Sequence, residues 1–205
     1  KRPHFLLDTF WQFLMPLFKF DAEQECCAII SADNRIRIWE TSTGKLRSHY
    51  VDRKQLAVKY SCFDWWRPLQ KSKGLKRNSS GKAKDLSSLG KIAVGLDHGG
   101  VIIWDLQRGV VSQRLSEDVQ SSVTGIVFSQ DGNIVYTVSK GKQLSAWDLK
   151  SGKLAAKWKG LKQGAWGLAL HPGGKALALA GTSLIRLVDA SIATTTTSPG
   201  DVGSG

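Results

Sequence analysis

Residues 36–40 have the sequence Ile-Arg-Ile-Trp-Glu, and similar segments recur at 102–105 (Ile-Ile-Trp-Asp), 144–148 (Leu-Ser-Ala-Trp-Asp) and 185–189 (Ile-Arg-Leu-Val-Asp). Each segment is mainly apolar and ends in a tryptophan, or in Val188 in the fourth, that is followed by a carboxylate. Recurrence of one segment along a chain is typical of proteins built from stacked structural units. The sequence therefore predicts a repeat architecture.

The intervals between these segments give the length of the repeated unit. Trp104 and Trp147 are 43 residues apart, and Val188 follows Trp147 by 41 residues. Trp39 and Trp104 are 65 residues apart, but the stretch 67–90 between them is polar and lacks apolar periodicity. Without its 24 residues the interval is 41. An interval of about 40 residues is typical of the four-stranded blades of a β-propeller.

The third unit shows the internal plan of a blade most clearly. Alternating apolar residues predict four strands, a to d, at 123–128, 134–139, 143–147 and 154–158, with turns between them. The remaining units repeat the plan, with strands predicted at 17–20, 26–31 and 35–39, then at 56–63, 92–96 and 101–104, and finally at 166–170, 176–180 and 184–188. We therefore predict an all-β chain of about four propeller blades.

This pattern resembles the WD40 repeat family over residues 16–190, with blades at approximately 16–50, 51–116, 121–160 and 164–190. The repeat positions are Trp39 and Glu40, Trp104 and Asp105, Trp147 and Asp148, and Val188 and Asp189. The three tryptophans are expected to form core between adjacent sheets. We interpret the carboxylates as hydrogen-bonding groups at strand ends.

A further polar position of many WD40 blades lies six residues before the tryptophan. The resemblance implies that an Asp at this place bonds neighbouring loops and a strand hydroxyl. Only Asp33 holds it here, whereas His98, Gly141 and Thr182 stand in the other units. We therefore expect apolar packing, more than polar contacts, to hold these blades together.

WD40 propellers generally close with seven blades, and an open array leaves unpaired strand edges. We therefore expect this sequence to be an incomplete seven-bladed propeller. Residues 1–15 form an N-terminal extension in this interpretation. Residues 191–205 form a Ser/Thr/Gly tail whose composition predicts disorder.

Three segments and the position of the insert indicate a closer resemblance. The segments are DNRIRIWETSTGKL at 33–46, WDLKSGKLAAKWKG at 147–160 and GAWGLALHPGGKALALAG at 164–181. They are similar to a nucleolar WD-repeat subfamily of the small-subunit processome, which supports pre-rRNA transcription and processing. The resemblance implies a non-catalytic scaffold in the nucleus and nucleolus that binds other processome proteins. The alternative is a general WD40 adaptor in signalling or ubiquitin-dependent turnover that binds no RNA.

Positive charge is concentrated in the insert at 67–90. The net charge of the chain is +12, and the insert together with Lys91 contributes +7. Because it replaces an a–b turn, we expect it to leave the propeller opposite the b–c and d–a loops. A basic loop can neutralise phosphates without reading bases, which makes pre-rRNA a candidate ligand. The alternatives are a solvated loop, an acidic partner and a nuclear-import signal. The candidate basic residues are Arg67, Lys71, Lys73, Lys76, Arg77, Lys82 and Lys84.

Trp65 and Trp66 precede the insert directly. Adjacent residues of a strand face opposite sides of the sheet, so only one of these rings can enter a given core. The other ring is a candidate for stacking on a base or on a partner side chain. The alternative is that both rings pack between blades.

Enzymatic chemistry has little support in this sequence. There is no Gly-x-Ser-x-Gly nucleophile motif, and His4, His49, His98 and His171 lack metal-ligand spacing. No uncharged apolar stretch is as long as the about 18 residues that a membrane-spanning helix needs. We therefore predict no catalytic residue, cofactor, metal, small-molecule substrate or membrane contact.

Overall fold

The computed structural model describes residues 17–54, 58–68, 89–116, 121–158, 161, 164–183 and 185–191, and the structural statements below concern these residues. They form four antiparallel sheets in chain order. The predicted all-β class with WD40-type blades is confirmed, and the described sheets do not close into a ring. Within the same ranges no helix is long and apolar enough to cross a membrane.

Each sheet is a meander in which every strand pairs with the next strand along the chain. Blade 1 contains β1 (Leu17–Phe20), β2 (Cys26–Ile30), β3 (Arg35–Glu40) and β4 (Leu46–Val51); blade 2 contains β5 (Tyr60–Trp66), β6 (Lys91–Leu96), β7 (Val101–Asp105) and β8 (Val110–Leu115). Blade 3 contains β9 (Val123–Phe128), β10 (Ile134–Ser139), β11 (Leu144–Asp148) and β12 (Lys153–Trp158), and blade 4 contains β13 (Ala165–Leu170), β14 (Ala176–Gly181) and β15 (Ile185–Asp189).

The first strand of blade 2 differs most from its prediction. A strand was predicted at 56–63, whereas β5 spans Tyr60–Trp66, and residues 55–57 lie outside the described ranges. The charged residue Asp64 does not end this strand because its buried carboxylate has partners. It accepts hydrogen bonds from the Lys19 ammonium and from the Phe128 amide, which lie on blades 1 and 3.

Neighbouring blades meet through their first strands and through apolar cores. β1, β5, β9 and β13 contact one another in chain order. One core joins blades 1 and 2 and includes Ile38 and Ile92. A second, which includes Ile103 and Val135, joins blades 2 and 3, and a third joins blades 3 and 4. The alternation along each strand thus places apolar side chains on both faces of blades 2 and 3, and each face packs in one of these cores.

The repeat tryptophans pack against the blade that precedes them. Trp104 lies in the core shared with blade 1, and Trp147 lies in the core shared with blade 2. Val188 is partly buried against blade 3 in the corresponding way. Trp39 departs from the prediction because it is only half-buried and lies outside all three cores. The described residues contain no blade before blade 1 that could cover it.

The two end blades carry exposed apolar side chains. Phe18 and Phe20 project from β1, and Ile185 and Leu187 project from β15. All four are more exposed than any core residue, with Ile185 at 79% and Phe18 at 67%. The outer faces of blades 1 and 4 are therefore uncovered in the described part of the chain.

Candidate functional site

The repeat carboxylates close the turns that follow the third strands. Asp148 accepts hydrogen bonds from the Lys150 amide at 2.8 Å and from the Ser151 hydroxyl at 3.0 Å. These bonds hold the pKa of Asp148 below its ordinary value. Asp105 and Asp189 cap their turns in the same way, and Glu40 accepts the Thr43 hydroxyl. These groups therefore cap the ends of their strands, as predicted for hydrogen-bonding groups at this position.

Asp33 has a different role from the one that the resemblance implied. Its carboxylate is exposed and binds the Arg37 guanidinium at 2.7 and 3.1 Å. It also accepts the Arg35 amide at 3.2 Å. Arg37 lies on the adjoining strand of the same blade, so the Asp33 carboxylate forms its ion pair within blade 1. Asp33 therefore stabilises one b–c turn, and its partners among the described residues belong to blade 1.

The indole N–H groups of the two buried repeat tryptophans differ. Trp147 donates to the Thr137 hydroxyl at 3.2 Å. The corresponding atom of Trp104 is buried and has no hydrogen-bond partner among the described residues. Strand pairing explains the difference, since Val94 in blade 2 occupies the position that Thr137 holds in blade 3. Blade 2 thus lacks the hydroxyl that would accept this bond.

The two ends of the insert are held together at its base. The Trp65 indole donates to the Leu89 carbonyl at 2.7 Å, and the Leu106 amide donates to the Gly90 carbonyl. Gly90 has a positive φ of 72°, and a Cβ there would lie 2.1 Å from the Trp66 carbonyl oxygen. Only glycine fits so close an approach of backbones. We call this segment, formed by residues 65–67 and 89–90, the neck of the insert.

Trp66 extends from the neck onto blade 3. Its indole donates to the Gln130 carbonyl at 2.9 Å, and its ring lies against Gly132, where a Cβ would come within 2.3 Å of the ring. The Lys91 ammonium lies 5.6 Å from the ring centroid. This geometry matches the packing alternative, in which both Trp65 and Trp66 lie between blades.

Arg67 is buried, although it was predicted as an exposed basic residue of the insert. Its side chain is 4% exposed and forms an ion pair with Asp21 in the a–b turn of blade 1. Glu25 and Glu23 of the same turn lie 3.3 and 3.6 Å from the guanidinium. The acidic turn thus captures the first basic residue of the insert, and Arg67 fixes the neck to blade 1.

The remaining basic candidates of the insert lie outside the described residues. They are Lys71, Lys73, Lys76, Arg77, Lys82 and Lys84. The described neck shows that the insert joins strands a and b of blade 2, as predicted. The neck lies beside the a–b turns of the two neighbouring blades. Arg67 contacts the turn of blade 1, and Trp66 contacts the turn of blade 3.

Sequence reasoning missed a polar cavity at the opposite end of the first strands. Trp166 and Lys140 line it together with Tyr60, whose burial raises the pKa of its phenol to about 12. The phenol is therefore neutral at physiological pH. The sequence pattern places Trp166 only in a strand, and alternation alone does not tell which strand ends meet at one cavity. Among the described residues, no group of three or more His, Cys, Asp and Glu could hold a metal ion.

The chain is similar to WD repeat-containing protein 43 of Homo sapiens, with 26% identity over 161 residues. The match covers 77% of this chain and 24% of that protein, so the chain spans much less than two thirds of its relative. No family model matches the chain. The similarity confirms the predicted resemblance to a WD-repeat protein.

Proposed function

We propose that this chain is part of a non-catalytic WD40 scaffold of nucleolar ribosome biogenesis. It acts in assembly of the small-subunit processome and in the transcription and processing of pre-rRNA. The observation that carries the proposal is the similarity to WD repeat-containing protein 43 over 77% of the chain. The subfamily resemblance implies the nucleolar role and the partners, which are other processome proteins.

The packing of the blades supports a scaffold function. Continuous apolar cores join each blade to the next, so the connecting turns are held at fixed positions on a rigid support. Rigid elements that present loops are suited to binding several proteins at once. WD40 repeats generally serve as non-catalytic scaffolds, which agrees with this arrangement.

The anchored neck supports a role for the insert in RNA binding. Arg67 and Trp66 fix the base of a basic segment between the a–b turns of blades 1 and 3. The segment that carries the lysines is therefore attached to the fold at one defined place. Their charge would neutralise RNA phosphates and give an affinity that falls with salt and tolerates different sequences.

Co-purification from cells tests this proposal. The tagged full chain should localise to nucleoli and recover small-subunit processome proteins with pre-rRNA. A variant in which Lys71, Lys73, Lys76, Arg77, Lys82 and Lys84 are replaced by Gln should keep the proteins and lose most of the RNA in moderate salt. Arg67 stays unchanged in this variant because it is structural. A matched control replaces the same number of exposed basic residues elsewhere on the fold by Gln, namely Lys45, Lys54, Arg108, Lys150, Lys153 and Lys175.

Two results would overturn the proposal. One is absence of the chain from nucleoli in cells where the protein is folded. The other is recovery of a ubiquitin ligase or a kinase without RNA, which would favour the general adaptor.

A further inference from the structure

A polar cavity of about 370 Å³ lies where the first strands of blades 2, 3 and 4 begin. It lies among the b–c and d–a connections, on the side opposite the neck of the insert. Its volume falls within the range of about 300–1,000 Å³ that is common for small-ligand pockets. The lining residues that matter for its chemistry are Lys59, Ser61, Asp97, Ser122, Lys140 and Trp166.

Trp166 is the exposed aromatic side chain of this cavity, with 51% of its surface accessible, whereas Tyr60 is half-buried. Its indole N–H donates to the Thr182 hydroxyl at 3.2 Å, which fixes the orientation of the ring. The Lys140 ammonium lies 5.6 Å from the ring centroid. An oriented and accessible aromatic ring beside a cation loses little conformational freedom when a planar group stacks on it.

The repeat makes this tryptophan unusual. Ser61 and Thr124 are the bulged residues at the start of β5 and β9, and Trp166 is the bulged residue at the start of β13. Both hydroxyls donate to a carbonyl at the start of the following blade, namely Val123 and Ala165. Trp166 has no hydroxyl to make this contact, so blade 4 presents an aromatic ring where blades 2 and 3 present a hydroxyl that bonds the next blade.

The charge around the cavity complements an anion. Lys59 and Lys140 are exposed on two separate connections, and Asp97 is the one acidic residue of the described lining. Aromatic rings that stack with bases, combined with cations that follow the backbone, are the usual means of binding single-stranded nucleic acid. In a duplex the faces of the bases are stacked on one another and are not available to the ring.

We propose that this cavity binds single-stranded RNA, with one base stacked on Trp166 and the adjoining phosphates neutralised by Lys59 and Lys140. The inference rests on the proposed function, which supplies pre-rRNA as the ligand. It adds a contact site on the side opposite the insert, so one RNA strand could engage both sides of the blades.

Fluorescence anisotropy of the purified full chain with a short fluorescein-labelled oligouridine tests the site. The background is the variant with a neutralised insert, so that the insert contributes little. Trp166→Ala should weaken binding about tenfold, as expected for loss of one stacked base, and Trp166→Phe should restore most of it. Lys59→Ala and Lys140→Ala should each lower the slope of log affinity against log salt by about 0.7. Lys153→Ala, on the outer strand of blade 3, should change neither quantity.

The alternatives give distinct results. The RNA site would be overturned if a folded Trp166→Ala variant bound oligouridine as well as the parent does. It would also be overturned if this substitution weakened the binding of duplex RNA as much as that of single-stranded RNA. Binding of an acidic phosphopeptide in place of oligouridine would assign the cavity to a protein partner and overturn it as well. The proposed function can hold while this site fails. That result would be a protein with a neutralised insert that binds no oligouridine, together with a Trp166→Ala variant that still recovers processome proteins from nucleoli.

Discussion

Trp104 and Trp147 hold the same repeat position in blades 2 and 3, yet their indole N–H groups have different surroundings. Both rings are almost fully buried against the preceding blade. Only Trp147 has a hydroxyl partner, because blade 3 carries Thr137 where blade 2 carries Val94. The comparison shows that this fold keeps apolar burial at the repeat position even where the polar contact is lost.

Removing the rings tests the shared part of the comparison and should have the largest effect. Trp104→Ala and Trp147→Ala should each lower the free energy of unfolding by about 3–5 kcal/mol, because both leave a large cavity between blades. Trp39→Ala is the matched control, since this ring is half-buried and lies outside the cores. Urea unfolding followed by circular dichroism measures all three. A loss for Trp39→Ala as large as the other two would contradict the assignment of the cores.

Removing the hydroxyl partner tests the difference between the two blades. Thr137→Val should lower the free energy of unfolding by about 1–3 kcal/mol, because it leaves the buried Trp147 N–H without an acceptor. Thr137→Ser is the control, because it keeps the hydroxyl at nearly the same place. The same urea titration measures both variants. Equal stability of the Val variant and the parent would show that the bond at 3.2 Å contributes nothing.

Adding a hydroxyl to blade 2 tests the comparison in the opposite direction. Val94→Thr should change the free energy of unfolding by less than about 1 kcal/mol, because the cost of burying a hydroxyl is offset by the bond that it accepts from Trp104. The control is the same substitution in the Trp104→Phe background, where no N–H is available. If Val94→Thr lowered the free energy of unfolding equally in both backgrounds, a hydrogen bond between Thr at position 94 and Trp104 would be refuted.

The turn after the third strand of blade 3 should give the smallest effect, and it depends on pH. Hydrogen bonds from the Lys150 amide and the Ser151 hydroxyl lower the pKa of Asp148 in the folded state. Their contribution is therefore complete above the unfolded pKa of about 3.9 and is lost as the pH falls through the lower folded value. Asp148→Asn keeps an acceptor without the charge, so its stability difference from the parent should be seen at pH 6 and shrink below pH 4 in urea titrations. A difference that stays constant with pH would exclude this role.

The elements of the fold could be predicted from the sequence because they depend on local patterns. Apolar alternation gave β9 and β10 with their observed bounds, and the repeat interval located the insert between two strands of blade 2. The strand predicted at 56–63 was wrong at its end, since β5 continues through Asp64 to Trp66. Alternation carries no information about the partners on other blades that the Asp64 carboxylate has.

The candidate site was harder to predict because it depends on contacts between distant residues. The sequence predicts Arg67 as one of the exposed basic residues of the insert, but its partner Asp21 lies 46 positions earlier in the chain. Trp166 was likewise assigned to a strand without any indication that Lys140 and Lys59 lie near it. Composition reveals how much charge a segment carries, whereas burial of that charge is decided by which turn packs beside it.

The buried carboxylate of Asp64 has a consequence for folding during synthesis. Its acceptor oxygens are occupied by Lys19, which the ribosome has already made, and by the Phe128 amide, which lies 64 residues later. At about 5–20 residues per second, the second partner is made several seconds after the carboxylate. A nascent chain that stops between these positions holds a half-satisfied charge inside its first two blades. We expect protease resistance of blade 2 to rise sharply only after the start of blade 3 has left the ribosomal tunnel.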